Sequence, residues 1–281
     1  MKISRLLLAA ALVVLLVSGC GSGGETAAQG DTVLATTYPM YFLTSRLTEG
    51  MEDVTVELMV SDAVSCLHDY TLTTEQMKKI ERADLIVMNG GGLEDFMASA
   101  LEGVSEGNIL VVKEAVEDPH YWLDPQCCQT AAQTIAEALI KRYPGKNQVL
   151  TGNLRSLTAE LSALQEELQT ELSTVKSREL ITFHDGFSWF ASAFDLTILA
   201  AIEEEEGAEV SAGEIKEICD LIEERNIPAI FVEKNGSVNA AGIIERETGV
   251  NVYTLNTMMD GKTDYFTAMR ENVQAVKEAL S

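Results

Sequence analysis

Seven apolar residues, Leu154, Leu157, Leu161, Leu164, Leu168, Leu172 and Val175, recur at spacings of three and four. They lie in a stretch from Asn147 to Ser177 that has no proline and a single glycine, Gly152, near its start. That period predicts one continuous helix, roughly 40 Å long at 1.5 Å per residue. Such a seam suits either a coiled-coil dimer or a helix covered by its own chain. The second is preferred, because a single seam of this length can pack along two domains of the same molecule. A rigid connector of this kind would limit hinge motion between them.

On either side of this stretch, strand-like and helix-like segments alternate. Val33–Thr37, Val54–Val60, Leu85–Asn89 and Ile109–Val112 are short Val/Leu/Ile-rich runs, separated by the amphipathic stretches Met40–Gly50, Thr74–Ala83 and Leu93–Val104. A second set follows: strands Leu180–Phe183, Leu196–Ile202, Ile227–Val232 and Asn251–Leu255, with helices Phe187–Phe194, Ala212–Asn226, Ser237–Thr248 and Thr263–Leu280. Alternation of this kind argues for parallel βαβ units. The predicted architecture is therefore two Rossmann-like α/β domains, 32–146 and 178–281, joined by a helix over 147–177.

The N-terminus reads as a targeting segment. Lys2 and Arg5 precede the apolar run Leu6–Val17, which is too short to span a bilayer and matches a signal-peptide core. Val17-Ser18-Gly19-Cys20 resembles a bacterial lipobox, placing the signal peptide at 1–19 and a lipid on Cys20. Residues 20–31 are small and polar, as a flexible tether would be. The mature chain is then expected to sit on the extracytoplasmic face of the membrane. Cleavage removes two positive charges and takes the formal net charge from −24 to −26. A surface so acidic repels nucleic acid and anionic lipid and biases cations toward it.

Four cysteines follow Cys20, namely Cys66, Cys127, Cys128 and Cys219, too few for a disulfide scaffold. Cys219 falls in the apolar period Ile215-Ile218-Cys219-Ile222 and reads as a core residue. Cys66 lies two residues from His68, and Cys127 and Cys128 lie seven and eight beyond His120. A disulfide from Cys66 to one of that pair, or free thiols, both fit an oxidising compartment.

The chain has only three histidines, His68, His120 and His184. Neutral imidazole is the commonest side-chain metal ligand, and zinc favours nitrogen and sulfur donors. Each histidine follows a predicted strand. Ligands of open α/β sheets bind beyond the carboxyl ends of the strands, so all three fit one cleft between facing sheet edges.

The surrounding motifs carry a resemblance over nearly the whole mature chain. Val33-Leu34-Ala35-Thr36-Thr37-Tyr38-Pro39, His68-Asp69-Tyr70 with Thr73, and Ala83-Asp84-Leu85-Ile86-Val87-Met88-Asn89-Gly90-Gly91-Gly92-Leu93-Glu94 form its first half. Asp118-Pro119-His120-Tyr121-Trp122-Leu123-Asp124-Pro125, Phe183-His184-Asp185-Gly186-Phe187 and Ile230-Phe231-Val232-Glu233 complete it in order. The chain resembles the metal-binding lipoproteins of bacterial zinc and manganese ABC importers, the cluster A-I solute-binding proteins. The resemblance implies two α/β domains joined by a long helix, with the metal between them. It makes His68, His120 and His184 the first three ligands. Histidine at the third of these positions goes with zinc members, glutamate with manganese members. Imidazole suits zinc, while manganese prefers oxygen donors.

The fourth position departs from the family. Many members carry aspartate in a Leu-Asp-Pro-Leu-like segment, where this chain has Leu255-Asn256-Thr257-Met258. Asn256 offers a neutral oxygen; water, Asp260 or Glu203 are the other candidates. Glu203-Glu204-Glu205-Glu206 reads as a solvated acidic loop or as a cation-collecting rim. Glu233 is a candidate acceptor for an imidazole N–H, and Asp69, Asp118 and Asp185 are others by proximity. Asn89-Gly90-Gly91-Gly92 fails the G-x-G-x-x-G pattern, because Asp95 takes the last glycine position, and reads as a tight turn. Trp122 and Trp189 read as packing residues.

The expected function is an extracytoplasmic, lipid-anchored, monomeric receptor that captures zinc and passes it to an ABC permease with its ATPase. Manganese or iron is the alternative cargo. A zinc hydrolase would also use three histidines and an open position, but no general base with a substrate pocket is evident. A surface adhesin engaged in cell adhesion would need an exposed patch that the sequence does not reveal.

Overall fold

The computed structural model describes residues 30–60, 67, 70–114, 116–203, 210–234 and 238–281, without the side chain of residue 203. The sequence expectations for Cys20, Cys66, His68, Asp69 and the three glutamates at 204–206 lie outside the described residues.

The first half begins with β1 (Asp31–Ala35), α1 (Tyr38–Leu47), β2 (Val54–Leu58), α2 (Thr74–Arg82) and β3 (Leu85–Gly90). It continues through a short α3 (Ala98–Leu101), β4 (Ile109–Lys113) and α4 (Pro125–Arg142). Its strands form one parallel sheet in the order β2-β1-β3-β4. Every residue of β3 is buried, as expected of an inner parallel strand covered on both faces. The helices have local start signals. Thr73 and Gln76 form a reciprocal capping box before α2, and Asp124 caps α4 with Pro125 in its first turn.

Two expectations change here. The helix expected over Leu93–Val104 is a 3-10 turn, Asp95–Met97, running into the four-residue α3. The 18-residue α4 is a helix the sequence pattern does not reveal, although Ala132, Ile135, Ala136 and Leu139 form its buried stripe. Its glutamines and threonines dilute the apolar period that marks a helix in sequence.

The long helix, α5, runs Asn147–Leu172, about 39 Å at 1.5 Å per residue. It stops five residues short of the expected end, where the Ser173 N–H turns back to the Thr170 carbonyl. Leu157, Leu161, Leu164, Leu168 and Leu172 are buried along it. They pack against α1 and α4 at one end and α9 (Tyr265–Leu280) at the other, so the seam is covered within the chain. Cross-links ride on top: Arg46 to Glu160 at 2.6 Å, a two-pronged Arg270–Glu167 pair, and Lys277–Glu171. Exposed pairs of this kind each contribute ~1 kcal/mol or less.

The second half comprises β5 (Glu179–His184), α6 (Ser188–Ala193), β6 (Thr197–Glu203), α7 (Ala212–Arg225), β7 (Ala229–Glu233), α8 (Asn239–Thr248) and β8 (Asn251–Leu255), followed by α9. Its parallel sheet has the order β6-β5-β7-β8. The period of two divides this sheet cleanly. Ile181, Phe183, Ile230 and Val232 point into a core under α7 and α8. Leu180, Ala229 and Phe231 point the other way and join a core continuous with α5 and the first half. Cys219 is only partly buried, against the edge of the smaller core.

Candidate metal site

His184 is the last residue of β5, not the first residue past it. On its strand it shares the parity of Leu180, so its side chain lies on the face that looks toward the first half. The sheet register puts two acidic residues beside it. Glu203 of β6 pairs with His184 directly. Thr182 pairs with Phe231 of β7, so Glu233 stands level with His184 on the same face, 3% exposed.

His120 comes from the loop between β4 and α4, and both halves hold it there. From the first half, Asn89 Nδ2 donates to the Pro119 carbonyl at 3.0 Å and the Tyr121 hydroxyl donates to the Asn89 carbonyl at 3.1 Å. From the second, Trp189 Nε1 donates to the Asp118 carbonyl at 2.9 Å, and the Tyr265 hydroxyl donates to the Trp122 carbonyl at 2.8 Å. Trp122 Nε1 in turn donates to the Thr257 carbonyl at 2.9 Å. Burial drives the Tyr121 and Tyr265 hydroxyls far above their ordinary range, so both remain donors.

The two imidazoles meet. His120 Nε2 and His184 Nε2 are 3.3 Å apart, with the rings nearly perpendicular at 83°. Both residues are buried. Asp118 Oδ1 accepts both the His120 backbone N–H at 2.9 Å and Nδ1–H at 2.7 Å. A proton held on Nδ1 leaves the Nε2 lone pair facing His184. Gly186 makes the approach feasible, since a Cβ there would fall 2.5 Å from His184 Cδ2 and 3.2 Å from His120 Cε1.

Asn256 follows β8 and is buried. Its Oδ1 accepts the Met258 N–H at 2.8 Å, while its Nδ2 has no hydrogen-bond partner among the described residues. That bond supports Met258 in the left-handed region, φ +66°, which costs a side-chain-bearing residue ~1–2 kcal/mol. The Asn256 backbone is fixed by a reciprocal pair of bonds with the Asn272 amide. Asp260 is committed elsewhere: Oδ1 accepts the Lys262 N–H and Oδ2 lies 3.7 Å from Lys234 Nζ. Among the described residues, no group of three or more His, Cys, Asp or Glu forms a ligand cluster.

The triple-glycine segment is a turn, as expected. Gly90, Gly91 and Gly92 all have positive φ, and a Cβ on Gly90 would lie 2.2 Å from the Lys113 carbonyl oxygen. The Asn89 and Gly90 N–H groups donate to the buried Glu94 carboxylate at 2.6 and 3.0 Å, and the Thr36 hydroxyl joins them at 2.6 Å. A side-chain carboxylate therefore holds the place where a phosphate would sit in a nucleotide loop. Among the described residues, Cys127, Cys128 and Cys219 are free thiols. Cys128 is fully buried, its S–H directed at the Trp122 carbonyl, and burial pushes it up to about 12.

The fold agrees with known relatives of the chain. The model of the family described as zinc-uptake complex component A, periplasmic, matches residues 33–279. The chain belongs to this family. Its members are metal-binding receptors of ABC importers, working with a permease and an ATPase. Among relatives, the high-affinity zinc uptake system protein ZnuA of Bacillus subtilis is 25% identical over 303 residues, covering 95% of this chain and 94% of its own. The manganese-binding lipoprotein MntA of Halalkalibacterium halodurans is 21% identical over 291 residues, covering 96% of each. The zinc-binding protein AdcA of Streptococcus pyogenes is longer: this chain, 99% covered at 25% identity, spans 61% of it. Among solved structures, the laminin-binding protein Lmb of Streptococcus agalactiae, described as bifunctional with adhesin and metal-transporting activity, superposes with a TM-score of 0.80. It is 27% identical, and the match covers 90% of this chain and 100% of that one.

Proposed function

We propose that this protein is a zinc receptor whose ligands are His68, His120 and His184, and that it releases the ion to an ABC permease. The observation that carries the reading is the 3.3 Å separation of the two Nε2 atoms. Two Zn–N bonds of about 2.05 Å at a tetrahedral angle require an N···N distance of about 3.3 Å. The ligand array spans both sheets, so the ion itself helps to hold the halves together, and release needs no covalent step.

The fourth position is filled by water or an anion, with Asn256 beside it, in this reading. The Asn256 oxygen already accepts the Met258 N–H, and its unspent group is a donor. Glu233, level with His184 on the neighbouring strand, serves as a carboxylate partner to the ligand shell. Lipid on Cys20 anchors a monomer to the membrane, and no helix among the described residues is long and apolar enough to cross it. The domain limits follow the sheets, with 32–146 and 178–281 flanking the linker 147–177.

The deciding experiment is a competition titration of metal-free protein with zinc and manganese. Stoichiometric zinc binding with a large preference over manganese is expected. Equal affinity for the two ions would overturn the zinc assignment and favour the manganese alternative.

A further inference from the structure

We propose that Trp189 is a positioning residue for the metal site, whose indole N–H, seated by the Lys113 ammonium, sets His120 against His184. The inference rests on the zinc reading above. Trp189 lies in the first turn of α6, on the same strand–turn–helix unit as His184. Its Nε1–H donates across to the Asp118 carbonyl at 2.9 Å. Asp118 then holds His120 twice, through the backbone N–H and through Nδ1–H. One bond thus links the helix that follows His184 to the backbone carbonyl of Asp118, the residue whose carboxylate orients the His120 ring.

Lys113 fixes the indole itself. It ends β4 in the first half, and its Nζ lies 4.5 Å from the Trp189 ring and 4.9 Å from the Tyr121 ring. An ammonium between two aromatic rings is held by both ring quadrupoles. The Tyr121 ring is itself anchored by its hydroxyl on the Asn89 carbonyl. The relay therefore runs from the ends of β3 and β4, through Tyr121 and Lys113, to Trp189. It fixes the two imidazoles to each other through a contact that neither of them makes. A packing role alone would depend on the volume of the ring; a positioning role depends on the N–H.

Trp189→Phe separates the two, because it keeps a ring over Lys113 and deletes the donor. In the full mature chain, zinc affinity measured by chelator competition should fall roughly tenfold, as for other groups that orient metal ligands. In the metal-free protein, the His120 ring nitrogen signals in an ¹⁵N spectrum should move from the Nδ1–H tautomer toward a mixture. A folded Trp189→Phe protein with unchanged His120 ring signals overturns the proposal, whether or not zinc affinity falls. If that variant does not fold, Lys113→Met retains the N–H and loosens its seat. An affinity loss of about threefold is then expected, and unchanged affinity overturns the proposal. Should the wild-type protein bind no zinc, the zinc reading fails, while the metal-free His120 spectra still decide the role of Trp189.

Discussion

The Nε2 atoms of His120 and His184 lie 3.3 Å apart although the residues are 64 positions apart in the chain. With the ring proton of each imidazole on Nδ1, both Nε2 lone pairs would be open, and a metal bound between them would find two donors already at tetrahedral spacing. Little ordering remains to be done on binding, which is how a preorganised site gains affinity.

His120→Ala and His184→Ala should each lower zinc affinity by more than about a hundredfold, beyond the loss typical of a group that only orients a ligand. Both residues end strands or sit in loops at the sheet edge, so the variants should stay folded by circular dichroism. A variant that binds zinc as tightly as the wild type would remove that histidine from the ligand set.

Gly186→Ala tests the spacing without touching a ligand. The added methyl would meet His184 Cδ2 at 2.5 Å and must push that ring away from His120. Zinc affinity should drop at least about tenfold, about 1.4 kcal/mol, with a small change in thermal stability. Unaltered zinc binding would mean that the observed ring placement is not the binding geometry.

Asn256→Asp converts the unspent amide donor into a second carboxylate oxygen while keeping the acceptor for the Met258 N–H. A charged oxygen favours manganese more than zinc. Manganese affinity should rise by about tenfold or more, about 1.4 kcal/mol, and zinc affinity by less. Identical selectivity in wild type and variant would place residue 256 outside the ligand shell.

Glu94 gives a pH signature that is separate from the metal. Burial lifts its carboxyl above the usual 4.5, against the opposing pull of the Thr36 hydroxyl and the Asn89 and Gly90 N–H groups. The folded state therefore holds this proton more tightly than the unfolded chain. The stabilisation linked to it is complete below pH 4.5 and is lost as pH rises through the folded value. Glu94→Gln should flatten the dependence of stability on pH above 4.5, read by denaturant midpoints at several pH values. Glu94→Ala strands two backbone donors and should cost about 2–4 kcal/mol. A slope that Glu94→Gln leaves unchanged would assign the pH dependence to other groups.

Local patterns in the sequence determined the two α/β halves, the long helix between them and the identity of the histidines. Strand and helix periods are set by neighbours two to four residues apart, so Leu157 to Leu172 and the alternation in β5 and β7 could be read directly. The helix α4 escaped because its polar residues weaken that local period, although Asp124 and Pro125 mark its start. Only the tertiary structure decided that His120 and His184 touch, that Glu233 stands level with His184, and that the Asn256 oxygen is spent on Met258. It also decided that Glu94, and no phosphate, fills the glycine turn. Each of these depends on sheet register or on loops from opposite halves, and such contacts are fixed by packing among residues tens of positions apart.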